Sequence, residues 1–72
     1  MTAKEVLSRM YDNEIVQIRD SMSAMMLAAG KACDMYLAND PYLNCEVEGI
    51  TTTLDDKSRT VCIVLYVGEE KK

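Results

Sequence analysis

Glu46 and Glu48 stand two apart in "CEVEGITTTL". On an extended strand that spacing puts both carboxylates on one face, about 7 Å apart. Such a pair can do acid–base work or hold a cation. On an alternating strand it is also the ordinary pattern of a solvated face. Nothing else in the chain completes a reaction centre. There is no histidine, so no imidazole base can activate a serine or a cysteine. Neither phosphate-cradling glycine motif occurs, and Gly30, Gly49 and Gly68 are scattered. Cys33, Cys45 and Cys62 are odd in number, widely spaced and without a C-x-x-C pair. They fit neither a four-ligand zinc site nor a disulfide framework, and they read as small apolar residues. No catalytic residue, metal or cofactor is assigned, and the chain is expected not to be an enzyme.

Two stretches have the composition of a binding surface. "YLANDPYLN" gathers Tyr36, Asn39, Asp40, Tyr42 and Asn44 around a helix end and a proline loop. Tyrosine with asparagine on a loop suits recognition of a partner or ligand, while the plainer reading has Tyr36 and Tyr42 wrap the end of the core. Met22, Met25, Met26 and Met35 form an adaptable contact set if exposed and gap filling if buried.

The elements that would position these residues follow from periodicity. "TAKE" is a capping-box pattern, with Thr2 and Glu5 serving each other's backbone N–H, so a helix is expected from about Ala3. Pro41 disfavours helix at Asp40 and ends it near residue 39. At about 100° per residue, one face collects Leu7, Tyr11, Ile15, Ile18, Met22, Met25, Ala29, Ala32, Cys33 and Tyr36. That phase favours one helix over about 3–39, with a break near residue 12, where Asp12 could cap a second helix, as the alternative. The flank carrying Ser21, Ala24, Ala28 and Ala32 is built of small side chains, and residues 21–30 carry no charge. Beyond Pro41 the period becomes two. Strands are expected over about 45–54 and 59–67, paired as an antiparallel hairpin through "DDKS", with a bulge at Gly49 and a frayed tail over 68–72. The fold class is therefore α+β: a single α-β-β domain over 1–72, completed by homodimerisation.

The totals point the same way. The 72-residue chain carries a net charge of −4. A chain this short has a marginal core and usually needs a disulfide, a metal or a partner. With the first two set aside, self-association remains. A helix segment apolar all round is normally buried all round, and "TVCIVLYV" is apolar on both parities, as a strand covered on both faces would be. The expected self-association residues are Ser21, Ala24, Met25, Ala28, Ala32, Val64 and Tyr66, in a homodimer or higher even oligomer.

The absence of a basic block argues against nucleic acid as a partner. No apolar run approaches the roughly 20 residues that span a bilayer, and the N-terminus lacks an apolar signal core, so a cytoplasmic protein is expected. The function read from these features is a non-catalytic, homo-oligomeric interaction module that regulates, adapts or inhibits another protein. One alternative is a metabolite- or nucleotide-binding module with its pocket at the subunit interface. A third reading is a dimeric nucleic-acid binder using Arg9, Arg19 and Lys31.

Overall fold

The computed structural model describes residues 1–38, 40–57 and 59–70, with the side chains at 55, 69 and 70 left out. Its first element is set by the capping box. Thr2 Oγ1 accepts from Glu5 N at 3.3 Å, and Glu5 Oε1 accepts from Thr2 N at 3.2 Å. The Thr2 backbone N–H foremost, and then the Thr2 hydroxyl, which donates to Glu5 Oε1 at 3.1 Å, hold the Glu5 carboxyl below its usual pKa. Helix α1 runs only over Ala3–Leu7.

The long helix expected over 3–39 does not form, and with it falls the arrangement of one long helix followed by a hairpin. Strands β1 (Ile15–Asp20) and β2 (Met26–Lys31) follow α1, then helix α2 (Ala32–Ala38), a 3-10 turn (Pro41–Asn44), and strands β3 (Cys45–Asp55) and β4 (Thr60–Glu70). Ile15, Val16 and Ile18 are β-branched, which favours a pleated, half-buried surface. On a strand, Val16 and Ile18 both point into the core, at 0% and 1% exposure. Ile15 and Ile18, three apart, would share a helix face but take opposite faces of a strand. Ile15 is accordingly only half-buried. The apparent helical stripe was thus an accident of spacing, and full burial of Val16 and Ile18 outweighs it.

The uncharged segment 21–30 is a turn followed by an edge strand. The Asp20 carboxylate accepts from Ser23 N at 3.3 Å and from Ser23 Oγ at 2.8 Å, and the Ser23 hydroxyl bond is the main reason its pKa lies below the usual range. Ala24 N donates to Asp20 O at 2.8 Å, and the Arg19 guanidinium donates to Ala24 O at 2.8 Å. The turn forces Ala24 to a φ of 59°, a left-handed conformation that costs a residue with a Cβ roughly 1–2 kcal/mol. Ala24→Gly should therefore be neutral to stabilising, by about 0.5 kcal/mol after the entropy glycine adds to the unfolded chain. In a helix interior the same change would cost about 1 kcal/mol. Thermal unfolding of the variant separates the two by sign.

The four strands form one mixed sheet in the order β2-β1-β4-β3. β1 is antiparallel to β2 and parallel to β4, and β3 is antiparallel to β4. Both helices and the 3-10 turn lie on one face. Ala3 and Leu7 from α1, Ala32 and Met35 from α2, and Leu43 from the 3-10 turn meet Val16, Ile18, Leu65 and Val67 there. Register shifts on either side of Val47 bring Cys45, Val47, Ile50 and Leu54 to this same face. α2 has backbone caps for its first turn: Ala32 N donates to Glu14 O at 2.8 Å and Cys33 N to Asp12 O at 3.3 Å. Asp12 thus caps a helix with its carbonyl, twenty residues away from where a break near residue 12 would have started one.

The two-sided apolar pattern of "TVCIVLYV" also resolves differently. β4 is a central strand. On the helix-free face, Cys62 lies between Ile15 and Thr53, and Val64 between Gln17 and Thr51. Flanked on both sides, each is only 3% exposed. β4 also continues through Glu70, where a frayed tail was expected from residue 68.

Candidate functional site

The residues singled out for chemistry are held apart. Glu46 Oε1 accepts from the Met1 ammonium group at 2.6 Å. Glu48 turns the other way and accepts a hydrogen bond from Ser21 Oγ. To reach Ser21, its carboxylate crosses β4 over Gly68, where a Cβ would lie 2.8 Å from Glu48 Cδ. A side chain at position 68 would displace the Glu48 carboxylate from this path. The two carboxylates therefore form no acid–base pair. Among the described residues, no group of three or more cysteine or acidic side chains is placed to hold a metal ion. Cys33 is half-buried, with its Sγ donating to Asp34 Oδ1 at 3.7 Å, while Cys45 and Cys62 are buried and all three are free thiols.

The "YLANDPYLN" residues divide. Tyr36 on α2 has the Lys4 ammonium 5.4 Å from its ring centroid, and it shares a shallow depression with Asn44, Thr2 and Lys4. Tyr42 turns inward and packs against the core. Asp40 is exposed, at the N-terminal end of the 3-10 turn, with no capping bond from its side chain. Asn39 lies outside the described residues. Tyr36 also lines a groove of about 430 Å³ between α1 and α2, with Leu7, Met10, Cys33 and Leu37. This groove is formed within one chain.

The residues expected to drive self-association do not share a surface. Ala24 and Met25 are exposed in the β1–β2 turn, and Ser21 is half-buried beside Glu48. Ala28 is on β2 and packs against the core, Ala32 is buried at the start of α2, and Val64 is buried in β4. Tyr66 is half-buried on the helix-free face. The spacing of four in Ala24, Ala28 and Ala32 is a row on a helix only, and here it crosses a turn, a strand and a helix. Of the four methionines singled out, Met22, Met25 and Met26 are exposed, at 94%, 64% and 44%, whereas Met35 fills the core. Of the three cations considered for nucleic acid, Arg19 is committed to the turn and to Gln17 Oε1.

What the structure brings together is a different set. The helices cover only part of their face of the sheet. Past them, Ile50 and Leu54 on β3 and Val61 on β4 are 59%, 57% and 61% exposed. Leu54 is the ladder partner of Val61, and Ile50 of Leu65; the three lie on one face of the sheet, with Thr52 between Leu54 and Ile50 and with Ile50 beside Met1, Val6 and Val47. β3 is also an edge strand. The N-terminus closes the beginning of that edge: Val47 N donates to Met1 O at 2.8 Å, and Thr2 bridges to Glu46. Beyond Val47, no described residue pairs with the outer side of β3. From Gly49 to Leu54 this edge has neither charge nor proline, the usual guards against strand addition. Ile50, Leu54 and Val61 escaped the sequence reading because alternation shows which residues share a face but not where helices stop covering it.

No family model, no curated protein and no solved structure matches this chain. No helix among the described residues is long and apolar enough to cross a membrane.

Proposed function

We propose that this protein is a non-catalytic, self-associating protein-interaction module, a small regulator, adaptor or inhibitor that works through the open end of its sheet. One observation carries the reading: the outer edge of β3 is unguarded, and three large apolar side chains lie more than half exposed beside it. An edge of this kind offers backbone hydrogen bonds to an added strand, and the neighbouring apolar side chains supply burial. The three free thiols support a reducing, cytoplasmic setting.

Light scattering over a dilution series tests the reading. Wild-type protein should rise above monomer mass as concentration increases. Ile50→Lys should stay monomeric at every concentration with an unchanged circular dichroism spectrum, because residue 50 is exposed and an edge lysine blocks strand addition. Monomer mass for both proteins at all concentrations would contradict the proposal.

A further inference from the structure

We infer that the strand received by the β3 edge is β3 of a second copy, paired antiparallel about a two-fold axis centred on Thr52. This rests on the contact reading above and adds to it the partner and the register. A two-fold interface must be self-complementary, so that residue i meets j and j meets i. Residues 50–54 read Ile-Thr-Thr-Thr-Leu, the same by residue class in both directions. Centred on Thr52, the pairing sets Ile50 opposite Leu54 twice, on the face that carries the helices. It sets Thr51 opposite Thr53 twice on the other face. Apolar and hydroxyl cross-strand pairs of this kind stabilise a ladder.

Neighbouring registers do not match. Centring on Thr51 places Glu48 opposite Leu54, and centring on Thr53 places Ile50 opposite Asp56. Sliding further toward the start of β3 is blocked by Met1, whose carbonyl already takes the Val47 N–H. In this register each copy's Glu48 comes opposite Asp56 of its mate, in a turn that also carries Lys57 and Arg59, all exposed. The Glu48 carboxylate is drawn back over Gly68 to Ser21, away from Asp56. A parallel pairing would set Glu48 beside Glu48. The result is a continuous eight-stranded sheet with Ile50, Leu54 and Val61 of both copies filling the trough between the two sets of helices. The contact is short and belongs to the small class of interfaces, under about 1,200 Å², so the dimer is expected to need concentrated samples.

Cysteine cross-linking tests the register in a Cys33→Ser background, which removes the half-exposed thiol and leaves the two buried ones. Directly opposed residues of an antiparallel pair are close enough for a disulfide. Under oxidised glutathione, Thr52→Cys should form a covalent dimer at least tenfold faster than Thr51→Cys or Thr53→Cys alone. An equimolar mixture of the last two should also cross-link. If the background protein is dimeric by light scattering but Thr52→Cys gains no such advantage, the register is wrong and the contact reading stands. If the background protein is monomeric throughout and nothing cross-links, both fail.

Discussion

Val16→Asp is expected to abolish the fold, and Ile15→Asp to leave it standing. Val16 is fully buried between the helices and the sheet, and no described side chain in that core is polar or charged. An unpaired carboxylate there costs several kcal/mol. A chain of this length has about 4–11 kcal/mol of stability in all, at roughly 0.05–0.15 kcal/mol per residue. Ile15 is only half-buried, points to the helix-free face and lies opposite Lys31 in the ladder with β2. An aspartate there meets a lysine across the strand and should cost about 1 kcal/mol. The helical reading places Ile15 on the apolar stripe and leaves Val16 out of it, so it orders the two variants the other way. Far-UV circular dichroism with urea unfolding decides between them. A folded Val16→Asp beside an unfolded Ile15→Asp would overturn the strand assignment of residues 15–20.

Leu65→Ala should lower the unfolding free energy by about 3 kcal/mol, within the range for a leucine truncated in a packed core. Leu65 is 0% exposed, on a central strand, with Ile18 on one side and Ile50 on the other. It is where the covered and uncovered parts of the helix-bearing face meet. The expected signature is a lower urea midpoint with the slope unchanged, since the surface exposed on unfolding is nearly the same. A loss below about 1 kcal/mol would mean that β4 does not run through the middle of the sheet.

These two residues also show what sequence could and could not reveal. The capping box at Thr2 and Glu5 was legible because it is local chemistry between residues three apart. So was the period-two pattern over about 45–54 and 59–67, together with the need for a register shift near Gly49. Residues 15–31 were misread because Ile15, Ile18 and Met22 satisfy a helical spacing by chance, and because Ala28, Ala29 and Gly30 are poor advertisements for a strand. What places them in a sheet is tertiary: β1 gains the long ladder with β4, whose pairing partner lies more than forty residues away. Sheet order cannot be read from alternation, and with it went the knowledge that β4 is central and β3 is an edge.

Association therefore rests on other residues than a long helix would present. A single copy hides more than its composition suggested. Its radius of gyration is 11.3 Å, matching the roughly 11 Å of a compact chain of this length, and Val16, Ile18, Leu43, Leu65 and Val67 are all essentially inaccessible. Each such burial is worth about 1.5–3 kcal/mol. Large apolar side chains stay exposed at Met1 and Tyr11, at Met22, Met25 and Met26, at Tyr36 and Leu37 on α2, and at Ile50, Leu54 and Val61. We place association at the last three, beside an uncharged strand edge whose sequence reads alike by residue class in both directions.

Hydrogen–deuterium exchange at low and high protein concentration tests that claim most directly. Backbone amides in Ile50–Leu54 should exchange more slowly in the concentrated sample, while those of the other edge strand, β2, should be unchanged. Exchange in Ile50–Leu54 that is independent of concentration, or slowing confined to β2, would contradict it.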